Sequence, residues 1–524
     1  MATRIETDPG EPTFADALRA SGVEVLTDDA SLEFYAHDIY DRGADLAAVV
    51  RPADKHELAA AVAAATGVGH PVIPRGGGMS YTGGYTADTP GAVLFDLKKM
   101  NRLLEVNDTD MSVTVEPGCT WATLYERLAH HKLRTPFWGT LSGLNATVGG
   151  GMSQNGMFWG SGRYGSIVQS CLALEVVLAD GTLMRVGKHF MRPYGPDLTG
   201  LFLADTGALG IKAAITLRLV PEANAHGYAS FAFDEYAGYV RAMSDIERAG
   251  LATECFGFDP KLNAIRMKRE SMATDAKALV GMMRKQKSVF GALKEGVKVV
   301  TAGRNFLKDA KFSLHVLTEG RIQAAADADI EGARQIVIAH GGREVENTIP
   351  KIIRANPFGP LNSILGPDGE RWAPIHGLLP HGKAVECHAA IEALFDEHRE
   401  EMDALGIHTG TLCGAVGGAG LIIEPCLYWP DARNPVIEDT IEPAHLAKLP
   451  RHEKNEEAWA LTQSLKKSLL ELFLKFGAVH FQIGRTYLYR DALDPAADAL
   501  LQAVKAQVDP RGLMNPGSLG LTGA

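Results

Sequence analysis

The spacing of apolar and polar positions changes several times along the chain and marks out alternating strands and helices. Short apolar runs between turn residues predict strands, at 72–74, 92–97, 112–116, 174–178, 213–220 and 421–428. Longer stretches predict helices, at 55–66, after Thr120 as an N-cap, at 383–405 and at 456–475. This alternation indicates a fold of α+β or α/β type.

Glycine is concentrated in a few of the connections between these elements. The chain has 56 glycines, and they cluster at 76–84, 143–165 and 207–210. A glycine-rich loop directly after a strand leaves backbone N–H groups accessible and favours phosphate binding, although a tight structural turn is the alternative. Neither the Walker A nor the G-x-G-x-x-G signature is present. Two such segments fit an extended ligand, such as a dinucleotide, better than a mononucleotide.

Composition and charge exclude several classes of protein. The chain has 524 residues, 46% of them apolar, with 52 basic and 63 acidic residues and a net charge of −11. An acidic balance disfavours nucleic-acid binding. The six cysteines are widely spaced, without C-x-x-C, and the N-terminus has no basic and apolar signal. We therefore expect reduced, mostly buried thiols in a cytoplasmic protein.

One segment departs from the acidic average. Residues 266–311 contain 12 basic and four acidic residues. A solvated helical face is the ordinary interpretation. A surface for an acidic partner or for peripheral contact with an anionic membrane is the alternative, which we do not favour.

Five motifs occur in order along the chain, at 72–84, 115–118, 149–156, 163–181 and 509–517. Together they resemble the FAD-linked oxidases of the vanillyl-alcohol oxidase and p-cresol methylhydroxylase (PCMH) superfamily. The resemblance implies an α+β fold, with a PCMH-type FAD-binding domain of two α+β subdomains and an α+β cap domain built on an antiparallel sheet. It implies an FAD-binding domain at 1–222, a cap at 223–474 and a C-terminal segment, 475–524, that returns to the FAD domain and the active site.

The same resemblance implies FAD as the cofactor and identifies its contacts. Residues 76–80 and 149–153 would contact the pyrophosphate, and 207–211 would lie near the adenine and ribose. The residues implied are Pro74, Arg75, Gly76, Gly77, Gly78, Met79, Ser80, Pro117, Gly118, Gly143, Gly149, Gly150, Met152, Ser153, Gly156, Gly210, Ile211 and Asn515. Met79 stands where some members carry a flavin-linking His, and 366–375 has no His or Tyr at the expected distance. We therefore expect non-covalent FAD.

Two further residues match the phenol-oxidising subgroup. Tyr81 and Arg485 stand where that subgroup binds the phenolate oxygen. This implies hydride transfer from the benzylic or allylic carbon of a para-substituted phenol to flavin N5, through a quinone-methide-type intermediate. Ser166 occupies the position of the active-site acid, so Glu424 or His376 would act as the base. Tyr487 would replace a tyrosine of the family, whose position is Gly484 here; Tyr489 is an alternative.

A D-2-hydroxy-acid dehydrogenase, in which Arg485 binds a carboxylate, is the alternative function. Members of the family with that activity carry a metal-site motif, H-x-G-D-G-N-x-H, and a later G-E-H-G motif. The segment that corresponds to the first, 413–424, lacks both histidines, and the segment that corresponds to the second, 477–484, contains His480. We therefore expect no metal. A non-catalytic flavin-binding protein is a third candidate. The expected partners are an aromatic small molecule, O2 or a cytochrome-type acceptor, and further copies of the chain in a homodimer or higher oligomer.

Overall fold

The computed structural model of the protein describes residues 14–20, 22–269 and 311–521. The strands are β1 (Glu24–Leu26), β2 (Leu46–Arg51), β3 (Val72–Arg75), β4 (Ala92–Asp96), β5 (Leu103–Asn107), β6 (Ser112–Val115), β7 (Leu133–Arg134), β8 (Cys171–Val177), β9 (Leu183–Gly187), β10 (Ile211–Arg218), β11 (Val220–Pro221), β12 (Ala225–Phe233), β13 (Glu254–Phe258), β14 (Phe312–Gly320), β15 (Arg343–Val345), β16 (Arg371–Pro374), β17 (Gly377–Leu379), β18 (His408–Val416) and β19 (Gly420–Trp429). The basic segment 266–311 lies almost entirely outside the described residues, so its role stays a prediction.

The helices of the described residues connect and cover these strands. They are α1 (Phe14–Ala20), α2 (Asp29–Tyr35), α3 (Lys55–Gly67), α4 (Trp121–Ala129), α5 (Val148–Gln154), α6 (Ser161–Tyr164), α7 (Tyr236–Arg248), α8 (Pro260–Arg269), α9 (Gln323–Ala339), α10 (Thr348–Ala355), α11 (Ala384–Glu397), α12 (Arg399–Ala404), α13 (Pro435–Thr440), α14 (Pro443–Leu446), α15 (Glu456–Lys475) and α16 (Pro495–Val508). None of the helices in these ranges is long and apolar enough to cross a membrane.

The first sheet positions the first glycine loop. Its four strands lie in the order β1-β2-β4-β3, and β2, β4 and β3 run parallel. Helix α3 makes the crossover from β2 to β3, and Asp54 caps it by accepting the backbone N–H groups of His56 and Glu57. The loop at 76–84 therefore begins at the carboxyl end of β3, beside the central strand β4.

The second sheet lies in the order β5-β6-β10-β8-β9 and is antiparallel throughout. A helix and the second glycine segment occupy the connection between β6 and β8. The helix is α4, which begins after Thr120, whose side chain accepts the backbone N–H of Thr123 at 3.2 Å. This confirms the N-cap expected from the sequence.

The third sheet is an antiparallel layer of eight strands, in the order β15-β12-β14-β13-β18-β19-β16, with β17 paired to β19. Its long central strands are almost wholly buried, and helices α7, α9, α11 and α15 contribute to the same apolar core. The sheet begins at Ala225, which agrees with the expected antiparallel cap. The boundaries at 222 and 474 themselves stay a prediction.

Two further expectations can be compared with the structure. The predicted helix at 383–405 is two helices, α11 and α12, because the backbone at His398 (φ −105°, ψ 11°) interrupts the first. All six cysteines are buried, and none forms a disulfide, as expected.

The C-terminal tail returns to the first sheet. The backbone N–H of Val72 donates to Leu513 O at 2.8 Å, and the backbone N–H of Asn515 donates to Val72 O at 2.8 Å. The tail thereby lies alongside β3, next to the start of the first glycine loop.

Candidate functional site

The first glycine loop presents a row of backbone donors. None of the backbone N–H groups of residues 76–82 donates a hydrogen bond to another described residue, although Gly77, Gly78 and Ser80 are buried. Buried N–H groups without a partner are rare in folded proteins, and successive N–H groups of a loop form a concave site for anions. The loop therefore fits a phosphate group.

Two contacts hold this loop in place while leaving its donors open. Tyr85 Oη donates to the carbonyl oxygens of Gly78 and Ser80, at 2.6 and 3.0 Å. The backbone N–H of Gly83 donates to Asp38 Oδ2 at 2.9 Å. These contacts use carbonyl groups of the loop and the N–H at its end, so they stabilise the loop without using the N–H groups of residues 76–82.

The second glycine segment packs against the first loop. A Cβ atom placed on Gly77 would lie 1.9 Å from Asn145 O. The N–H groups of Gly149 and Gly150, however, already donate to Pro117 O at 2.9 Å and to Thr147 Oγ1 at 3.2 Å. These two amides were expected on the FAD pyrophosphate; both have partners within the protein, and the contact of Gly149 and Gly150 with FAD stays a prediction. Gly149 allows close packing, since a Cβ there would lie 2.5 Å from Pro117 Cβ.

Several other predicted cofactor residues lie where backbone segments approach closely. The N–H of Gly118 donates to Met100 O at 2.7 Å, and that of Gly143 donates to Thr140 O at 3.0 Å. A Cβ on Gly210 would lie 2.4 Å from Val176. The positions Pro74, Met79, Met152, Ser153, Gly156 and Ile211 stay predictions as FAD contacts.

The guanidinium of Arg485 bonds only to groups of the protein, mostly backbone carbonyls. Its guanidinium donates five hydrogen bonds: Nη1 to Gly83 O and to Thr86 O at 2.7 Å, Nη2 to Asn515 Oδ1 at 2.8 Å and to Pro516 O at 2.6 Å, and Nε to Pro516 O at 3.1 Å. A guanidinium has five N–H donors, so no donor remains for a substrate. The expected role of Arg485 as a phenolate or carboxylate anchor is therefore corrected: it connects the first glycine loop to the C-terminal tail.

Asn515 belongs to the same connection. Its Nδ2 donates to Gly84 O at 2.8 Å and to Thr206 O at 2.6 Å, while its Oδ1 accepts from Arg485. Both N–H groups of this fully buried side-chain amide are therefore used within the protein, and the expected FAD contact of Asn515 stays a prediction. The residue joins three segments around the loop.

A second group of residues brings the cap and the C-terminal segment against the loop. We call it the catalytic cluster, and it consists of Tyr81, His376, Glu424, His480, Gln482 and Tyr487. Gln482 Nε2 donates to Tyr81 Oη at 3.3 Å, and Glu424 Oε2 lies 3.8 Å from His376 Nδ1. Four expected residues, Tyr81, His376, Glu424 and Tyr487, therefore lie together.

Hydrogen bonds fix the tautomers of the two histidines. His376 Nε2 accepts the backbone N–H of Phe481 at 2.9 Å, so its proton is on Nδ1, 3.0 Å from Tyr487 Oη. His480 Nδ1 donates to His376 O at 2.7 Å. The Nε2 of His480 is therefore unprotonated and can accept a hydrogen bond. Burial lowers the pKa of His376 to about 3 and that of His480 to about 4. Both rings are therefore neutral at pH 7.

His376 cannot accept a substrate proton, because both of its nitrogens are occupied; its expected role as a base is corrected. It holds Tyr487, whose Oη also accepts the backbone N–H of His376 at 3.0 Å. With its oxygen accepting two bonds, the Tyr487 O–H is left to donate to a substrate oxygen.

Glu424 is the carboxyl group of the catalytic cluster. Its register partner is Leu412, on the neighbouring strand β18. Burial raises the pKa of Glu424 to about 7. Burial, followed by the charge of Glu424, raises the pKa of Tyr81 well above its usual value. At neutral pH the site therefore contains neutral tyrosine donors and one carboxyl group that titrates.

Ser166 lies outside this arrangement. It is buried ahead of a short 3₁₀ turn, and its side chain makes no capping hydrogen bond. No hydrogen bond joins it to the catalytic cluster among the described residues, so the structure gives no support to a catalytic role.

Sequence reasoning missed two members of the cluster. His480 was noted in 477–484 but was considered only as a motif residue of metal-binding members, and Gln482 gave no signal. Within the described residues, no group of three or more His, Cys, Asp or Glu side chains is placed to hold a metal ion.

Comparisons with known proteins agree with three features of the structure. These are the unpaired amides of the first glycine loop, the catalytic cluster beside that loop and the order of the strands. Residues 46–187 match a family model described as FAD binding domain. The chain is an FAD-dependent oxidoreductase. It is similar to the crystal structure of p-cresol methylhydroxylase with substrate bound, with a TM-score of 0.71 over 97% of this chain and 96% of that one at 18% identity. This oxidoreductase thus has the PCMH-type FAD-binding fold.

Two curated relatives of the oxidoreductase carry different names. A probable mitochondrial D-lactate dehydrogenase of Danio rerio is 27% identical over 465 residues, covering 86% of this chain and 79% of that protein. The glycolate oxidase subunit GlcD of Bacillus subtilis (strain 168) is 28% identical over 269 residues, 50% of this chain and 57% of that protein. Membership of the phenol-oxidising subgroup is thus not confirmed, and a cytoplasmic location stays a prediction.

Replacing Gly77 by alanine is expected to weaken FAD retention. The added Cβ would lie 1.9 Å from Asn145 O, so the two glycine segments must separate. Such overpacking costs about 1–3 kcal/mol, and it distorts the donors that face the phosphate groups. The measurements are the FAD content of the purified protein and its melting temperature with and without added FAD.

The matched control for this change is Gly67→Ala. Gly67 is exposed at the end of α3, and a Cβ there would meet nothing within 4 Å. We expect parental FAD content for this control. Parental FAD content in Gly77→Ala as well would show that the contact between the two segments does not shape the cofactor site.

Proposed function

We propose that this oxidoreductase oxidises the CH–OH group of a small 2-hydroxy acid and that Glu424 accepts the hydroxyl proton. The observation that carries the substrate class is the alignment with a probable D-lactate dehydrogenase, because it extends over 86% of this chain, beyond the FAD-binding residues. FAD, when bound, supplies the acceptor for the hydride.

The catalytic cluster supports the proton transfer. A general base works best when its pKa is close to the working pH, and burial brings the pKa of Glu424 to about 7. His376 Nδ1 is 3.8 Å from this carboxyl group and donates to Tyr487 instead. The carboxylate is therefore available to a substrate, whose oxygen would meet the hydroxyl groups of Tyr81 and Tyr487.

The carboxylate of a 2-hydroxy acid needs hydrogen-bond donors. The cluster contains neither Arg nor Lys, and all five N–H groups of nearby Arg485 already donate to oxygen atoms of the protein. The neutral donors that remain are Tyr81 Oη and the Gln482 amide, which are joined at 3.3 Å, and the hydroxyl of Tyr487. Under this proposal, binding therefore depends on these three side chains and is weaker than with a guanidinium.

Oxidation of a para-substituted phenol or aromatic alcohol is the second candidate, and the aromatic rings of the cluster favour it. Trp372 packs edge-on against Tyr81 at 5.4 Å between ring centroids, and His480 stacks on Tyr487 at 4.2 Å. A flat apolar substrate would find complementary walls here.

Anaerobic mixing of the FAD-loaded protein with two sets of substrates tests both candidates. The first set is D-lactate, glycolate and D-mandelate, each with its methyl ester, and the second is vanillyl alcohol and 4-ethylphenol. We expect a free hydroxy acid to bleach the flavin absorbance and its ester to act at least about tenfold more slowly, since the ester loses the ionic hydrogen bonds of the carboxylate.

The outcomes separate the candidates. Bleaching by the phenols alone would establish the second candidate and reject the first. Equal rates for acid and ester would show that the carboxylate is not recognised. Admitting air to the reduced protein then measures whether O2 accepts the electrons or another acceptor is required.

A further inference from the structure

Arg75 is a buried cation directly beneath the first glycine loop. It is the last residue of β3 and is 2% exposed. Its Cζ lies 5.2 Å from the ring centroid of Phe34, 4.9 Å from that of Tyr35 and 5.0 Å from that of Tyr85. Faces of aromatic rings attract a cation, but they do not satisfy its N–H donors.

Among the residues that the structure describes, the charge of Arg75 has no ion-pair partner. Its buried Nε and Nη1 make no hydrogen bond, and no described carboxylate forms an ion pair with it. Asp96, the register partner of Arg75 on β4, accepts from Tyr35 Oη at 2.6 Å, and Asp38 accepts backbone N–H groups, including that of Gly83. An unpaired buried charge normally destabilises a fold, so its presence here needs a reason.

The guanidinium touches the loop that binds phosphate. A Cβ atom placed on Gly78 would lie 2.7 Å from Arg75 Nη2 and 2.9 Å from Nε. The unpaired backbone N–H groups of residues 76–82 belong to this same loop. The loop therefore has a row of donors with a fixed positive charge packed against its backbone.

We propose that Arg75 is a positioning residue whose uncompensated charge, acting through the glycine loop, attracts the pyrophosphate of FAD onto the backbone amides of residues 76–82. The charge destabilises the FAD-free protein and is compensated when the two negative phosphates bind. This inference uses only the FAD that the chain binds and is independent of the substrate proposed above.

The test measures the affinity for FAD and the stability of the FAD-free protein in Arg75→Met and Arg75→Lys. Methionine keeps an apolar side chain among the rings without the charge, and lysine keeps the charge. For Arg75→Met we expect FAD to bind about tenfold or more weakly, with a melting temperature of the FAD-free protein equal to or above the parental value. For Arg75→Lys we expect most of the affinity to remain.

Salt dependence provides a second readout. Attraction between the loop and the pyrophosphate weakens as ionic strength rises. The dissociation constant for FAD should therefore increase with NaCl in the parent and increase less steeply in Arg75→Met. The matched control is Arg42→Met, since Arg42 is exposed and pairs with Glu33 at 2.8 Å and with Asp45 at 2.8 Å; its FAD affinity should stay parental.

Three results would overturn the proposal. The first is an Arg75→Met protein that binds FAD like the parent. The second is a fall in the melting temperature of FAD-free Arg75→Met, or its failure to fold, because the charge would then support the fold. The third is an equal salt dependence in Arg75→Met and the parent.

Discussion

Glu424→Gln is expected to reduce the rate of flavin reduction by about 10²–10⁴-fold, the usual contribution of a general base. Glutamine keeps the size of the side chain but cannot accept a proton. The measurement is the rate of anaerobic flavin bleaching at saturating substrate. FAD affinity should stay parental, because Glu424 lies in the cap sheet and is not one of the residues whose backbone amides form the glycine loop.

The dependence on pH follows from the raised pKa of Glu424. Only the carboxylate accepts a proton, so the parental rate should rise as pH increases through about 7 and then level off. The histidines do not contribute to this step, since their pKa values of about 3 and 4 keep them neutral across it. The Glu424→Gln variant should show no rise near pH 7.

Glu424 should also make the free energy of unfolding depend on pH, and this quantity should fall with rising pH where the rate of flavin reduction rises. A raised pKa means that the folded protein holds this proton more tightly than the unfolded chain. The stabilisation is therefore present below the ordinary pKa of a glutamate and is lost as pH rises toward about 7. At pH 8 the variant should melt at or above the parental temperature. Glu400→Gln, an exposed acid on α12, is the control for both measurements, and parental kinetics in Glu424→Gln would reject Glu424 as the base.

The strand β3 and the open amides of the first glycine loop could be anticipated because both depend on local sequence. The run at 72–74 gives β3, and glycines 76–78 directly after it give the loop with open amides. Local sequence does not distinguish glycines that expose an amide from glycines that allow close packing. Gly149 is of the second kind because of Pro117, which lies in another segment of the chain.

The catalytic cluster was harder to anticipate, because its members come from distant parts of the chain. Tyr81 follows the first sheet, Glu424 lies in the third sheet, and His480 lies after α15. The number of hydrogen bonds on Arg485 likewise depends on carbonyl groups at residues 83, 86 and 516. A motif predicts that an arginine is present, but only the packing determines whether it faces a substrate or the backbone.

Arg485→Ala is expected to destabilise the protein by about 3–5 kcal/mol and to abolish FAD retention. Removing the side chain leaves the carbonyl groups of Thr86 and Pro516 and the side-chain oxygen of Asn515 without donors, and Gly83 O keeps only the hydroxyl of Thr86, at 3.3 Å. Each buried acceptor that loses its partner costs about 1–3 kcal/mol. The first glycine loop and the C-terminal tail then separate, and the amides of residues 76–82 lose their arrangement. Thermal unfolding and FAD content measure both effects.

The result distinguishes a structural arginine from one that binds substrate. A substrate anchor would give a protein of parental melting temperature and FAD content whose KM rises, and this outcome would contradict the role assigned here. Arg490→Ala is the matched control, because Arg490 lies in the same segment but pairs with Asp498 at 2.6 Å near the surface, where ion pairs contribute little. A large loss of FAD from Arg485→Ala together with a small effect in Arg490→Ala would place the function of Arg485 in the cofactor loop, since only that arginine joins the loop to the tail.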